Sequence, residues 1–444
     1  MTNNKPTILI IIGISGDLSK RKLLPAIGQI ASTGMAPDNF KIIGVTRQQG
    51  IRVDDLLEFT TNKTYIYQNT MMFGMDLTNP KDFERLENYL QDIEKEFGSE
   101  AQYIFYLSVP PTVSKSIVEL IGLSGMAKKE GTKLLLEKPF GVDLQSAVDL
   151  VGHIDRYFDT EQVYRIDHYL AKETAQNIIV FRNGNSLFKR TWNKNFIDKI
   201  EVTVSEEIGI EGRANFYEQT GALRDLIQSH LLQLLSLTLM DLPKEDEFDQ
   251  VPSLRHEALK ALRIPIEKSL VINAKRGQYK GYREEVGNNE SMVETFASIN
   301  LESSDPKWEG VKIRLATGKA LKEKYTEIKI YYKKDNENES NELHLRLQPD
   351  EGISFSVWAK RPGYEHQVSR HALNFSFSDH FTSLPDAYEQ VLFNAINGDH
   401  SLFSSSEEVT ETWRIIDDLQ KAWMTSTYDL IIYKKGSTIE EVIS

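Results

Sequence analysis

The stretch that decides the fold is Thr7-Ile-Leu-Ile-Ile-Ile-Gly-Ile-Ser-Gly-Asp-Leu-Ser-Lys-Arg-Lys22. Its first six residues form an uninterrupted, mostly β-branched apolar run, which is typical of a strand buried on both faces of a parallel sheet. Gly13 and Gly16 follow directly, and a helical pattern begins at Asp17. Glycine lets the backbone approach a pyrophosphate, which the helix N-terminus can then bind. The stretch therefore predicts a phosphate-binding turn, although any strand-to-helix turn favours glycine and G-x-x-G alone is a weak motif.

The first third of the chain continues with alternating strands and helices. Such alternation predicts a doubly wound, Rossmann-like parallel sheet, whose ligands lie at the carboxyl ends of the strands. The predicted strands after the first are residues 41–46, 102–108, 133–137 and 162–166, and the predicted helices are 17–31, 82–97 and 144–158.

The pattern changes after about residue 195. Apolar residues alternate with polar ones, as in Leu343, Leu345 and Leu347, over many short segments. Period two predicts a large antiparallel sheet with one covered face, here in an α+β domain with interspersed helices. We expect a dinucleotide-binding domain at residues 1–170 and a domain for substrate binding and oligomerisation at 171–444. Residues 281–291 are expected to form an exposed loop, and residues 333–341 the tip of a hairpin.

Composition excludes several classes of protein. The 444 residues carry 52 Lys and Arg against 65 Asp and Glu, a net charge of −13, which argues against a nucleic-acid binder. The absence of cysteine removes disulfides, thiolate nucleophiles and cysteine-based zinc sites. The sequence contains no run of about 18 apolar residues, which a membrane-spanning helix would need. We expect a cytoplasmic protein with no membrane or nucleic-acid partner and no metal.

The residue after the second predicted strand bears on the cofactor. NAD-selective folds usually have an acidic residue there, whereas arginine suits the 2′-phosphate of NADP. Arg47 occupies this position, between Thr46 and Gln48. The sequence therefore predicts NADP as the cofactor and leaves NAD as a weaker alternative, since a solvated surface arginine is also common.

Five motifs resemble the glucose-6-phosphate dehydrogenase family in order and spacing. The resemblance covers nearly the whole chain and is most specific around Asp167 and His168. It implies oxidation of D-glucose 6-phosphate at C1 to 6-phospho-D-glucono-1,5-lactone, with hydride transfer to NADP, the first step of the pentose phosphate pathway. The motifs are residues 16–23, 108–111, 137–141, 165–173 and 225–233.

The resemblance assigns the catalytic pair. Loss of hydride from C1 requires a base for the C1 hydroxyl proton, with a pKa near neutrality. His230 matches the base of the family, and Asp167 matches the carboxylate that orients the base and stabilises its imidazolium. On the residues alone, a core histidine is the better interpretation of His230, because Leu226, Ile227, Leu231 and Leu232 surround it.

The resemblance also assigns the binding residues. His168, Tyr169 and Lys172 match the phosphate site, and a helix from Tyr169 onward would place His168 and Lys172 on one face. Asp76 could equally be a surface residue, and neighbours make Glu206 and Lys324 less specific. The further substrate residues are Lys22, Lys138, Glu206, Asp225, Lys319 and Lys324. The cofactor residues are Gly13, Ser15, Gly16, Asp17, Leu18, Arg47, Asp76, Leu77 and Lys138.

Two alternative functions remain at this level. One is a sugar dehydrogenase of the glucose–fructose oxidoreductase type acting on non-phosphorylated sugars, against which His168 and Lys172 argue. The other is a nucleotide-sensing binding protein, which need not retain Asp167 and His230. The resemblance also implies a homodimer or homotetramer associating through the large sheet.

Overall fold

The computed structural model describes residues 5–244, 247–265, 273–334 and 339–444. These residues form two compact units. The first contains the chain up to Ala171, a short piece at Phe248–Pro252 and the returning segment Pro385–Val409. The second contains Lys172–Glu247, Ser253–Leu384 and Thr410–Ser444. The returning segment lies far along the chain from the alternating strands and helices. Their pattern therefore does not predict that this segment belongs to the first unit.

The described strands follow one another in a single series. They are β1 Thr7–Ile12, β2 Phe40–Thr46, β3 Thr70–Gly74, β4 Gln102–Leu107, β5 Lys133–Leu136, β6 Val163–Ile166, β7 Ile197–Ser205, β8 Leu262–Arg263, β9 Ala274–Tyr279, β10 Phe296–Ser303, β11 Lys312–Gly318, β12 Tyr325–Tyr332, β13 Glu342–Gln348, β14 Gly352–Lys360, β15 Val368–Ser376, β16 Phe403–Ser404 and β17 Leu430–Tyr433.

The described helices are mostly α-helical. They are α1 Leu24–Ser32, α2 Lys63–Asn69, α3 Pro80–Phe97, α4 Pro111–Leu123, α5 Leu144–Ile154, α6 Glu173–Gly184, α7 Ser186–Thr191, α8 Ala214–Ala222, α9 Leu232–Leu239, α10 Val251–Lys260, α11 Tyr282–Val286, α12 Ala387–Asn397, α13 Ser406–Thr425 and α14 Ile439–Ile443. Two π-helical segments, Ser19–Leu23 and Leu223–Leu231, lead directly into α1 and α9.

The first unit is built on a seven-stranded sheet in the order β16-β6-β5-β4-β1-β2-β3. Its pairs are parallel except for β16, which adds an antiparallel edge to β6. Leu9 and Ile11 pack into one core and Ile8, Ile10 and Ile12 into another, on opposite faces of the sheet. This explains the uninterrupted apolar run, and it confirms the doubly wound parallel sheet.

The second unit contains a larger sheet in the order β15-β14-β13-β12-β7-β11-β10-β9-β17. One face is covered: Leu343, Leu345 and Leu347 of β13 are buried, and the residues between them are only partly buried. The sheet is mixed rather than wholly antiparallel, since β7 pairs with β11 and β9 with β17 in parallel. Period two reports which face of a strand is covered and carries no information on strand direction.

The expected loop at residues 281–291 is wrong in part, because α11 lies within it. Tyr282 is fully buried there, and its hydroxyl donates a hydrogen bond to Glu218 Oε1 at 2.8 Å. At the expected hairpin tip, β12 and β13 pair antiparallel, while residues 335–338 lie outside the described part of the chain. Among the described residues, no helix combines the length and apolar character needed to span a bilayer.

Gly13 offers a test of the packing in the first unit. Its φ is +95°, and a Cβ there would collide with the carbonyl oxygen of Ser108, which follows β4. We expect Gly13→Ala to lose about 1–2 kcal/mol of stability from the left-handed backbone and roughly 1–3 kcal/mol more from displaced neighbours. Gly50→Ala is the control, because Gly50 has φ +82° with open space around it. Urea denaturation should show a clearly larger loss for Gly13→Ala, and equal losses would contradict the predicted collision.

Candidate active site

The turn after β1 forms a tight backbone cradle. The amides of Gly13 and Ile14 donate to Val45 O at 3.0 and 3.2 Å, and the Gly16 amide donates to Gly13 O at 2.9 Å. A Cβ at Gly16 would lie 3.1 Å from Gly13 O, so both glycines are needed for the close packing. The turn leads into the helical segment that begins at Ser19. Such a cradle can hold a pyrophosphate, because its glycines carry no side chain that would block the approach and the amides of a helix N-terminus follow.

The other predicted residues of this turn are Ser15, Leu18 and Asp17. Ser15 Oγ lies 3.3 Å from Thr46 Oγ1, which links the turn to the end of β2. Leu18 packs against the core. Asp17 is exposed, and its carboxylate accepts a hydrogen bond from Arg21 Nε at 2.6 Å. The turn therefore presents polar backbone and one solvent-facing carboxylate at the sheet edge.

Arg47 and Asp76 follow the carboxyl ends of the neighbouring strands β2 and β3. Thr46 pairs with Gly74, and the Met75 amide donates to Thr46 O at 3.2 Å. Both Arg47 and Asp76 are exposed. Hydrogen bonds from the Thr78 amide and hydroxyl lower the pKa of Asp76, and the positive charge of Arg47 adds a smaller contribution. Leu77 packs against the core beside them.

Asp167, His168 and Tyr169 form a turn directly after β6. Asp167 is 4% exposed, and its Oδ1 accepts a hydrogen bond from the Tyr169 amide at 2.9 Å. The expected helix from Tyr169 is wrong: α6 begins at Glu173, with Lys172 in the N-cap position. The Asp167 carboxylate stabilises the turn because it accepts the hydrogen bond of the Tyr169 amide, as Asp side chains do in local turns.

A buried polar cluster was missed at the sequence level. The carboxylate of Glu137, directly after β5, accepts hydrogen bonds from the hydroxyls of Tyr106 and Tyr388. Burial raises the pKa of Glu137 to about 6, against the lowering effect of both phenols and of Lys138. Glu137, an acidic residue at the end of a buried strand, is the indication of this cluster that the sequence offers. Only its neighbour Lys138 was predicted to bind a ligand.

Lys22 is tied to the same region. Its ammonium group lies 3.0 Å from Asp386 Oδ2 and 6.0 Å from the centre of the Tyr388 ring. The rings of His168 and Tyr388 are nearly parallel, with centroids 6.5 Å apart. Lys22 and His168, from distant parts of the sequence, thus lie beside Tyr388.

His230 lies in the second unit, in the π-helical segment Leu223–Leu231, and is 2% exposed. Hydrogen bonds of a π-helix join residues five positions apart, and π-helical turns are frequent at functional sites. Asp225 is five positions before His230, so the π-helical backbone brings the two closer to one face than an α-helix would. The π-helical winding of this segment is a finding of the structure.

Lys319 and Glu206 form an ion pair in the second unit. Lys319 is 3% exposed, and its ammonium group lies 5.2 Å from the centre of the Tyr217 ring. Burial raises the pKa of Tyr217 well above its ordinary value, and the negative charges of Asp225, Glu294 and Glu206 add to this effect. The structure therefore gathers both predicted carboxylates and Lys319 around Tyr217, which was missed in the sequence. Lys324 is exposed in the segment before β12.

Family models match both parts of the chain. The model described as "Glucose-6-phosphate dehydrogenase, NAD binding domain" matches residues 10–177. The model described as "Glucose-6-phosphate dehydrogenase, C-terminal domain" matches residues 179–441. The first match supports a nicotinamide dinucleotide as the cofactor, in agreement with the glycine cradle.

Individual proteins of the same description are similar over their full lengths. The glucose-6-phosphate 1-dehydrogenase of Chlamydia muridarum is 34% identical over 471 residues, covering 94% of this chain and 90% of the relative. A solved glucose-6-phosphate dehydrogenase in complex with its substrate glucose-6-phosphate is 28% identical, with a TM-score of 0.92, covering 99% of this chain and 97% of that chain. The enzyme from Mycobacterium avium is 28% identical with a TM-score of 0.82, at 98% and 95% coverage.

The buried ion pair gives a stability prediction. In Glu206→Gln the Lys319 ammonium group, 3% exposed, keeps its burial but loses its charged partner. Removing one partner of a buried pair costs about 3–5 kcal/mol, and we expect roughly 1–3 kcal/mol because Glu206 is partly solvated. Glu302→Gln is the control, because it breaks an exposed pair with Arg263 and should cost at most about 1 kcal/mol. Thermal unfolding of both variants measures the difference, and similar losses would contradict a buried role for Lys319.

Proposed function

The chain belongs to the glucose-6-phosphate dehydrogenase family, and from this premise we propose how its residues oxidise D-glucose 6-phosphate. The reaction converts C1 to 6-phospho-D-glucono-1,5-lactone, the first step of the pentose phosphate pathway. The observation that carries the proposal is the continuous match of both family domains, residues 10–177 and 179–441. Family membership favours this activity over a glucose–fructose oxidoreductase type or a nucleotide-sensing binding protein.

His230 is proposed as the general base. It accepts the proton of the C1 hydroxyl while the C1–H bond breaks with its electron pair and the C1–O bond becomes a carbonyl. The bound nicotinamide ring supplies the acceptor for that hydride. Asp167 is proposed to orient the imidazole of His230 and to stabilise the imidazolium. No covalent intermediate arises, so the reaction requires no nucleophile.

The remaining predicted residues are proposed to hold the sugar phosphate. The net charge of −13 opposes an anionic substrate, so local cations must bind it. His168, Tyr169 and Lys172 are assigned to the phosphate. Glu206 and Asp225 are assigned to the ring hydroxyls, because carboxylates accept hydrogen bonds from them. The further cations proposed to contact the substrate are Lys22, Lys138, Lys319 and Lys324.

The cofactor is proposed to be NADP. The turn assigned to the pyrophosphate consists of Gly13, Ser15, Gly16, Asp17 and Leu18. Lys138 is also assigned to the cofactor. Arg47 is assigned to the 2′-phosphate, which a guanidinium can bind through two parallel hydrogen bonds. Asp76 and Leu77 are assigned to the neighbourhood of the adenine. The carboxylate of Asp76 lowers the positive potential beside Arg47, and NAD stays the weaker alternative.

A homodimer or homotetramer is also proposed, with the large sheet as the interface. Support comes from β15, whose residues are mostly exposed although it is hydrogen-bonded to β14 along its length. Leu373 and Phe375 of β15 are apolar and exposed at 61% and 37%. A cytoplasmic location and the absence of a metal remain predictions from the sequence.

The catalytic assignment is tested with His230→Asn, which retains hydrogen bonding but cannot accept the proton. We expect kcat with glucose 6-phosphate and NADP to fall by about 10²–10⁴-fold with little change in KM. His366→Asn, at an exposed position, is the control and should match the wild type. Reduced-cofactor absorbance measures both, with glucose as a second substrate for the wild type. Normal turnover by His230→Asn would exclude the proposed base, and turnover of glucose but not of its phosphate would exclude the proposed substrate.

The cofactor assignment is tested with Arg47→Ala. The KM and the dissociation constant for NADP should rise at least about tenfold, because one charge-assisted hydrogen bond contributes more than about 1.4 kcal/mol. Binding and kinetics of NAD should hardly change, since NAD lacks the 2′-phosphate. Fluorescence titration with the reduced cofactors gives the binding constants independently of turnover. Arg156→Ala removes another exposed arginine of the same unit as the control, and a parallel loss of NADP and NAD in Arg47→Ala would contradict the assignment.

A further inference from the structure

The Glu137 carboxylate joins the first sheet to the returning helix α12. Tyr106, the penultimate residue of β4, and Tyr388, in the first turn of α12, both donate their hydroxyls to it. Tyr106 is fully buried and Tyr388 is partly buried. A carboxylate with two phenol donors is a strong, directional acceptor. The Glu137 carboxylate therefore helps to fix the position of the first turn of α12.

That first turn contacts residues assigned to the substrate. Asp386 caps α12 by accepting the Tyr388 amide at 2.9 Å, and its other oxygen accepts the Lys22 ammonium at 3.0 Å. The Tyr388 ring lies nearly parallel to that of His168, with centroids 6.5 Å apart. A movement of Tyr388 would thus displace the surroundings of both Lys22 and His168.

We propose that Glu137 is a positioning residue for the sugar phosphate, which acts by holding the Tyr388 hydroxyl and thereby the first turn of α12. The inference rests on the proposed function, because it takes glucose 6-phosphate as the substrate that Lys22 and His168 bind. Glu137 needs no contact with the substrate in this role. Its effect should appear in substrate affinity and leave the chemical step unchanged.

The ionisation of Glu137 gives the inference a pH dependence. Burial, with a smaller contribution from the negative charge of Asp167, raises its pKa to about 6 against the lowering effect of the Tyr106 and Tyr388 phenols and of Lys138. Lys22, Asp386 and His168 are further charged or titratable groups around Tyr388. Protonation weakens a charge-assisted hydrogen bond. Substrate affinity should therefore decline as the pH falls through about 6.

The experiment compares Glu137→Gln, Tyr388→Phe and the double variant. Each single variant should raise the KM for glucose 6-phosphate by roughly three- to twentyfold, the range expected for an indirect loss of one charge-assisted hydrogen bond. The kcat and the KM for NADP should stay within about twofold. The double variant should be no worse than either single one, because both remove the same link. If Glu137→Gln fails to fold, Tyr388→Phe alone still tests the KM effect.

Tyr103→Phe is the matched control. Tyr103 is the second residue of the same strand, at the end opposite Tyr106, and its hydroxyl donates to Glu94 Oε2 at 2.8 Å. This variant should lose stability while keeping its KM. An equal KM change in Tyr103→Phe and Tyr388→Phe would overturn the inference, as would additive effects in the double variant.

A pH series separates positioning from a merely structural role. Between pH 7 and 5 the KM of the wild type should rise more steeply than that of Glu137→Gln, because only the wild type can protonate this carboxyl. Titration of the substrate phosphate is common to both enzymes and cancels in the comparison. Parallel curves would overturn the inference. Wild-type inactivity on glucose 6-phosphate would instead refute the proposed function, so the two failures are distinguishable.

Discussion

The close approach of the turn after β1 to the end of β4 is the constraint on which the rest of the first unit depends. In the order β6-β5-β4-β1-β2-β3, the strands β2 and β3 lie on one side of β1, and β4 to β6 lie on the other. A crevice opens at the carboxyl ends of the strands at such a switch point. The carbonyl of Ser108 occupies the space that a side chain at Gly13 would need. Ser19 Oγ lies within hydrogen-bond distance of Ser108 Oγ, at 3.2 Å, and of Gly13 O, at 3.3 Å, which links the cradle to its neighbouring strand.

Two of the cations assigned to the substrate are already paired with carboxylates. Lys22 contacts Asp386, and Lys319 contacts Glu206. A protein with an overall negative charge can keep such cations in place by local pairing, at the cost that an anionic ligand must compete for them. The pairing also orients the amines before the ligand arrives, which reduces the ordering cost of binding. The two units share this arrangement although their sheets are built differently.

The sequence predicted what depends on local pattern and failed where distant segments combine. The apolar run of β1 and the two glycines after it were sufficient for the parallel sheet and its cradle. The Glu137 cluster was missed because Tyr106 and Tyr388 are separated by most of the chain, and only the fold brings them to one carboxylate. Tyr217 was missed for the same reason, since its importance comes from the carboxylates around it. The mixed direction of the second sheet follows from connections between strands, which alternation does not encode.

The returning segment Pro385–Val409 affects how the protein can be made on a ribosome. Val391, Leu392, Ala395, Ile396 and Phe403 belong to the core that covers one face of the first sheet. The nascent first unit lacks these side chains until synthesis has passed them, on the order of ten to forty seconds after Ala171 at 5–20 residues per second. During that interval the apolar face that they cover remains open. The first unit can therefore complete its core only after most of the second unit has been synthesised.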